Sequence, residues 1–136
     1  MGKFKEFLIE QQDAKVGVHI NDKVAPWTEW ILNGNKTIET RNTNSLKSLI
    51  GQRVGIIRTG VKGGAALVGY VTIGEPLVYK TLEEFDADVE RHLVDTNYKG
   101  FEFRDMKFGY PMLNPERIEP VYGIPFKGNM VTRPLS

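Results

Sequence analysis

The 136-residue sequence contains no cysteine and only two histidines, His19 and His92. Disulfide bonds, thiolate metal sites, iron–sulfur clusters and a cysteine nucleophile are therefore excluded, as is a zinc site with three histidine ligands. No apolar run approaches the ~18 residues that a membrane-spanning helix needs. We therefore expect a protein that holds no metal or other cofactor and does not cross a membrane.

The N-terminal segment also lacks targeting features. Residues 1–12 have no continuous apolar core of the kind found in signal peptides. Gly2 is followed at position 6 by Glu6, where a myristoylation motif has serine or threonine. These absences predict a cytoplasmic location. The length favours a single domain, and 40% hydrophobic with 26% charged residues is an ordinary globular composition.

The formal net charge of +1 conceals an uneven distribution. Residues 1–68 contain ten Lys/Arg and six Asp/Glu, whereas residues 69–136 contain eight and eleven. Residues 36–62 carry six basic side chains and one acid, and residues 81–95 carry six acids and one arginine. This pattern predicts a basic face, and basic side chains supply the salt-sensitive phosphate attraction of RNA binding.

Hydrophobic periodicity predicts more strands than helices. Alternation predicts strands over 15–21, 36–42, 53–59, 65–73 and 121–128. Helices are predicted over 26–33, where Gly34 ends the helix, and over 81–95, where Thr81 and Glu84 form a capping box. The stretch 114–120 is interpreted as a turn and a sheet crossing. The elements together indicate an α+β fold, a small and mostly antiparallel barrel with two or three packed helices.

The segment between the first helix and the next strand concentrates charge. Glu39 and Arg41 lie two apart on a predicted strand, so their side chains project to one side with about 7 Å between Cα atoms. If that side faces a cleft, the two charges must pair with each other or with a ligand. Lys36 lies beside the helix C-terminus, where a cation is favoured. The alternative is an exposed edge strand with ordinary surface charges.

The residues GNKTIETR, 34–41, fit the pattern Gly-x-Lys-x-x-Glu-x-Arg of the ASCH family, a branch of the PUA-like fold. The flanking PWTEWIL and RVGIIRTG, and YPMLNPERIEPVYGIPFKG near the C-terminus, also resemble that family. The resemblance covers about residues 15–128, leaving 1–14 as an N-terminal helical arm and 129–136 as a C-terminal tail. It implies a β-barrel of about five to six strands with two or three flanking helices.

The resemblance also implies a cleft beside the barrel that binds RNA or a nucleotide-like ligand. Gly34, Lys36, Glu39 and Arg41 match the motif one by one and are therefore expected to line it. Three further ligand-binding candidates come from residue chemistry: Arg58, Trp27 and Tyr110. Arg58 precedes a glycine-rich loop and would meet a phosphate, although a solubilising role is equally open. Trp27 and Tyr110 would stack on an unpaired base, and Trp27 is open to a core role.

Two other functions remain open from the sequence. One branch of the ASCH family hydrolyses acetylated cytidine with a lysine, a threonine three residues later and a glutamate on a later helix, and other members are proposed ribonucleases. Here Lys36 is followed at that spacing by Glu39, and Glu90 lies on the later helix. An amidohydrolase or ribonuclease would therefore use Lys36, Glu39 and Glu90. The second alternative is a non-enzymatic adaptor module.

Overall fold

The computed structural model describes residues 14–123 and 132–135. This part of the chain contains seven strands and three short helices. The strands are β1 (Val16–Asn21), β2 (Ile38–Arg41), β3 (Arg53–Thr59), β4 (Ala66–Ile73), β5 (Leu77–Tyr79), β6 (Lys107–Tyr122) and β7 (Thr132–Pro134). The helices are α1 (Trp27–Leu32), α2 (Leu82–Ala87) and α3 (Val89–His92), with one 3₁₀ turn at Lys47–Leu49.

The described strands form one sheet in the order β2-β6-β4-β3-β1-β7, and β5 also pairs with β6. Every pairing is antiparallel except that of β1 with β3. The sheet curls into a half-barrel, which confirms the predicted α+β architecture. Because the barrel does not close, β2 lies at one edge of the sheet. No helix among residues 14–123 and 132–135 is long and apolar enough to cross a membrane.

Apolar clusters stabilise the half-barrel and its helices. The largest joins α1 to alternate residues of the strands and contains Ile31, Ile56, Val71, Ile73 and Tyr110, each fully buried. Another is built from Tyr79, Phe85 and Val94, with half-buried rings from 98–103 packed against it. Burial of this apolar area is the main favourable contribution to folding.

Most predicted elements appear close to their expected bounds. The strands predicted over 53–59 and 65–73 form the hairpin β3–β4. The Thr81 hydroxyl caps α2 by accepting a hydrogen bond from the Glu84 N–H at 3.1 Å. The helix predicted over 81–95 is nevertheless divided at Asp88, whose backbone is not helical, with a φ of −105° and a ψ of 18°. Its carboxylate accepts hydrogen bonds from Tyr79 and Arg91.

The C-terminal third differs from the sequence prediction. Residues 114–120 are not a turn and crossing but the middle of β6. Asn114 adopts a positive φ of 50°, and the register of the pairing with β4 shifts nearby. These irregularities are β-bulges, which allow the polar, proline-containing sequence to remain in the strand. Thr132–Pro134, predicted within a tail, pairs antiparallel with β1. The N-terminal arm predicted over 1–14 lies outside the described residues, except for the buried Ala14.

Candidate functional site

A cavity of about 350 Å³ occupies the opening of the half-barrel, between β2 and the C-terminal end of β1. The pairing of β7 with β1 reaches only as far as Val18. Beyond that residue β1 faces β2 across the cavity. We call this cavity the seam cleft. Its lining residues are His19, Ile20, Asn21, Trp27, Lys36, Glu39, Thr40, Arg41, Asn42, Thr59, Val94, Tyr98, Phe101 and Lys107.

A sharp turn after α1 delivers Lys36 to this cleft. Gly34 has a φ of +85°, in the left-handed region that glycine adopts at helix ends. The backbone N–H of Lys36 then donates to the Trp30 carbonyl at 2.8 Å, and that of Thr37 donates to the Arg91 carbonyl at 3.0 Å. The turn therefore folds the start of β2 back against α1 and α3.

Lys36 is the most deeply buried charged group of the cleft, with 1% of its surface exposed. Its Nζ donates a hydrogen bond to the His92 carbonyl oxygen, lies 3.9 Å from Glu39 Oε1 and is 4.9 Å from the Trp27 ring centroid. Burial lowers the pKa of Lys36 to about 8, against the opposing effect of Glu39. A fraction of Lys36 is therefore neutral near physiological pH.

Glu39 and Arg41 lie on one face of β2. Arg41 Nη2 is 3.2 Å from Glu39 Oε2 and donates to the His19 carbonyl oxygen of β1 at 2.8 Å. The Nε of Arg41 is buried and has no hydrogen-bond partner within the part of the chain that the structure describes. Buried donors in native proteins almost always have a partner, so this N–H is a candidate ligand contact.

Lys107 and Asn42 extend the β2 side of the cleft. Lys107 Nζ donates to Asn42 Oδ1 at 2.7 Å and lies 5.0 Å from the Phe101 ring centroid. Burial lowers the pKa of Lys107, although Glu102 opposes this. Neither residue is predicted as a site residue from the sequence. They meet because Arg41 pairs with Phe108 in the β2–β6 register, which places Asn42 beside Lys107.

His92 positions the backbone carbonyl that accepts the hydrogen bond from Lys36. Its Nδ1 accepts a hydrogen bond from the Val94 N–H at 2.9 Å, so Nε2 carries the proton and donates to the Phe85 carbonyl at 2.6 Å. The imidazole also stacks on the Phe85 ring, with 4.0 Å between centroids. Burial lowers the pKa of His92. A neutral, fixed imidazole therefore holds the backbone carbonyl that receives the Lys36 ammonium.

The seam cleft gathers four of the residues predicted from the sequence: Trp27, Lys36, Glu39 and Arg41. Tyr98 and Phe101 are half-buried and form the aromatic side of the cleft together with Trp27. Neither is predicted as a site residue from the sequence. Tyr98 and Phe101 follow the acidic helical region, and no pattern in the sequence links them to the motif. Their position is set by packing of their rings against the Phe85 cluster.

The other predicted residues lie elsewhere. Gly34 serves the turn and does not line the cleft. Arg58 lines a different cavity, beside α1, and donates to the Tyr122 hydroxyl at 3.0 Å. Tyr110 is fully buried in the largest cluster, so it is not placed to stack on a base. Glu90 is exposed on α3 and lines no part of the cleft.

The chain is an α+β domain, an open half-barrel with a polar cleft at its seam. Three solved structures of the ASCH protein from Zymomonas mobilis share this fold. One aligns with a TM-score of 0.58 at 12% identity, covering 78% of this chain and 71% of that chain. A serine-to-alanine variant of that protein aligns with a TM-score of 0.66 at 16% identity over 91% and 90%. A tyrosine-to-phenylalanine variant aligns with a TM-score of 0.56 at 15% identity over 78% and 73%.

The chain therefore has the ASCH fold that the motif at 34–41 implied. No protein-family model matches the sequence, and no curated protein matches it either. Within the described residues, no three His, Asp or Glu side chains gather in an arrangement that could hold a metal ion.

Proposed function

We propose that this protein binds RNA and holds an unpaired nucleotide, or an equivalent free nucleotide, in the seam cleft. The observation that carries this proposal is one cavity in which three cations and one carboxylate lie beside aromatic rings. Its volume of about 350 Å³ is at the lower end of the ~300–1,000 Å³ typical of small-ligand sites. A single nucleotide is therefore a suitable occupant, and a duplex is too wide to enter.

The charges of the cleft favour an anionic ligand. Lys36, Arg41 and Lys107 outnumber the single acid, Glu39, and the ion pairs of Glu39 use only part of their hydrogen-bonding capacity. The Nε of Arg41 is buried without a partner among the described residues, so a phosphate oxygen that displaced the atoms covering it would satisfy this donor. Arginine suits that contact because its planar guanidinium can bind phosphate with two parallel hydrogen bonds.

The aromatic side of the cleft favours a base. Trp27, Tyr98 and Phe101 are half-buried, so each ring keeps an accessible surface. Stacking of an unpaired base on an aromatic ring contributes about 1–3 kcal/mol and tolerates any base. Sequence-specific RNA recognition also targets unpaired bases, because the major groove of A-form RNA is too narrow to read.

The test is fluorescence anisotropy with a labelled single-stranded RNA pool, measured across a range of salt concentrations. Arg41→Ala is expected to weaken binding at least tenfold and to reduce the salt slope by about 0.7, the value for one phosphate contact in a single strand. Lys80→Ala is the matched control, because Lys80 is exposed and lines no described cavity. Absence of binding at low salt, or equal losses in both variants, contradicts the proposal.

A second candidate function is hydrolysis of an N-acylated nucleoside or of RNA, with Lys36 as the base. The geometry favouring it is the buried Lys36 amine, with its pKa of about 8, facing the same cavity as the Thr40 side chain. Glu90 takes no part, because it lies outside the cleft. Incubation of the protein with N-acylated nucleosides and with RNA tests this function. Turnover that Lys36→Met abolishes supports it, and no turnover excludes these substrates.

A further inference from the structure

We propose that the seam cleft is the first half of a two-nucleotide site whose second half is an adjoining cavity on the other side of Asn42. This inference rests on the RNA-binding function proposed above. The second cavity has a volume of about 480 Å³. It lies between residues 42–44, which follow β2, and residues 104–106 with Phe108, at the start of β6. Its ligand would be a single-stranded oligonucleotide, in preference to a free mononucleotide.

Asn42 is the wall that the two cavities share. Lys107 can only donate, so its 2.7 Å bond fixes Oδ1 of the Asn42 amide toward the ammonium. The Nδ2 group is then left as a donor beside the Lys107 cation. An amide donor next to a cation suits a phosphate oxygen. The boundary between the cavities is therefore where the phosphodiester linking two nucleotides would lie.

Phe108 supplies a surface for the second base. It pairs directly with Arg41 in the antiparallel β2–β6 register, so the two side chains lie on the same face of the sheet. Phe108 is half-buried, and the neighbouring Met106 is 40% exposed. Phe108 also packs against the largest core cluster, so the part of its ring that stays exposed beside Met106 is the stacking surface, and such a surface accepts any base.

The charges of the second cavity are balanced, unlike those of the seam cleft. Arg104 and Asp105 both line it, and Arg104 Nη2 is 2.9 Å from Glu102 Oε2. The second nucleotide is therefore held mainly by stacking, and the linking phosphate by Lys107 and Asn42. This division predicts that charge-neutral variants at the stacking surface, such as Phe108→Leu, change affinity without changing its salt dependence.

The experiment compares a uridine mononucleotide with a uridine dinucleotide carrying the same terminal phosphate, measured by titration calorimetry. The dinucleotide is expected to bind at least tenfold more tightly. Met106→Asp, which places a carboxylate at the exposed edge of the second cavity, is expected to abolish that gain. Phe108→Leu is expected to reduce it, and Phe108→Tyr to keep it because the ring remains. Thermal unfolding midpoints show whether each variant is folded.

The outcomes separate this inference from the proposed function. If both ligands bind with equal affinity, the second subsite is wrong while the seam cleft remains a nucleotide site. A gain that survives in folded Met106→Asp also overturns the subsite. If neither ligand binds, nor any RNA pool at low salt, the proposed function fails and the subsite fails with it.

Discussion

The guanidinium of Arg41 on β2 donates a hydrogen bond to the carbonyl oxygen of His19 on β1, at 2.8 Å. The two strands are not paired with each other in the sheet order, so this bond spans the opening of the half-barrel. The same Nη2 lies 3.2 Å from Glu39. Arg41 thus joins the two walls of the seam cleft, while its buried Nε has no hydrogen-bond partner among the described residues.

Arg41→Lys is expected to weaken RNA binding about tenfold and to lower the free energy of unfolding by roughly 1.5–3 kcal/mol, the value of a hydrogen bond to a charged group. A lysine keeps the charge but lacks the fork that reaches His19, Glu39 and a ligand together. Urea unfolding and RNA anisotropy measure the two effects. Arg53→Lys, whose ion pair with Glu116 lies away from the cleft, is the control. Wild-type affinity in Arg41→Lys would show that charge alone suffices.

Glu39→Gln is expected to lower the pKa of Lys36 below its value of about 8. The Glu39 carboxylate favours the charged form of Lys36, while burial and Arg41 oppose it. Removing the anion leaves only the opposing effects. NMR titration of the lysine side-chain carbons measures this pKa. The prediction fails if the Lys36 pKa stays unchanged or rises in the variant.

Lys36 also makes stability depend on pH. Its folded pKa of about 8 is below the ordinary value of 10.5, so the unfolded chain binds more protons between those pH values. The free energy of unfolding due to Lys36 therefore rises with pH, by about 1 kcal/mol between pH 7 and pH 9. Urea unfolding of the wild type and of Lys36→Met is measured at both pH values. Because both proteins keep the same tyrosines, the difference between them gives the contribution of Lys36 to the pH dependence. If the free energy of unfolding of the wild type minus that of Lys36→Met falls between pH 7 and pH 9, the pKa of Lys36 is not lowered as stated.

Gly34→Ala is expected to destabilise the protein by about 1 kcal/mol, because the φ of +85° is strained for any residue with a Cβ. No atom lies within 4 Å of the added Cβ, so the cost is conformational and not steric. Gly34→Asn is expected to cost less, since asparagine tolerates this region. Thermal unfolding compares the two. If Gly34 contacted the ligand instead, alanine would reduce affinity at unchanged stability.

Trp27 provides a direct signal for ligand entry. The chain has two tryptophans, and Trp30 lies 5.5 Å from Trp27 with the rings edge to face. In a Trp30→Phe variant, the remaining emission comes from Trp27 at the cleft. Nucleotide binding is expected to change that emission by stacking, with the same midpoint as anisotropy. Unchanged emission at saturating ligand would place the base away from Trp27.

Structural features that depend only on neighbouring residues could be predicted from the sequence. Alternation predicted β1, β3 and β4, and the position of Gly34 predicted the end of α1. The two-residue spacing placed Glu39 and Arg41 on one face of β2, and their ion pair bears this out. These features follow from backbone geometry within a few residues, which every strand and helix shares.

The single long strand β6 was not predicted, because its three prolines and Asn114 are typical of turns. Only pairing with β4 on one side and β2 on the other keeps it extended. The helix after Thr81 was predicted to run to residue 95 without a break. Its backbone leaves helical geometry at Asp88, whose carboxylate accepts a hydrogen bond from Tyr79 of β5 and another from Arg91. In both places tertiary contacts overrode local propensity.

The sequence by itself determined the motif, its charge and the strand that carries it. Only the tertiary structure decided which other side chains meet it: Lys107 joins the cleft, while Tyr110 is buried in the core and Glu90 is exposed on α3. The physical reason is register. A strand's alternation fixes which residues share a face, but the partner strand and its alignment depend on contacts between distant parts of the chain.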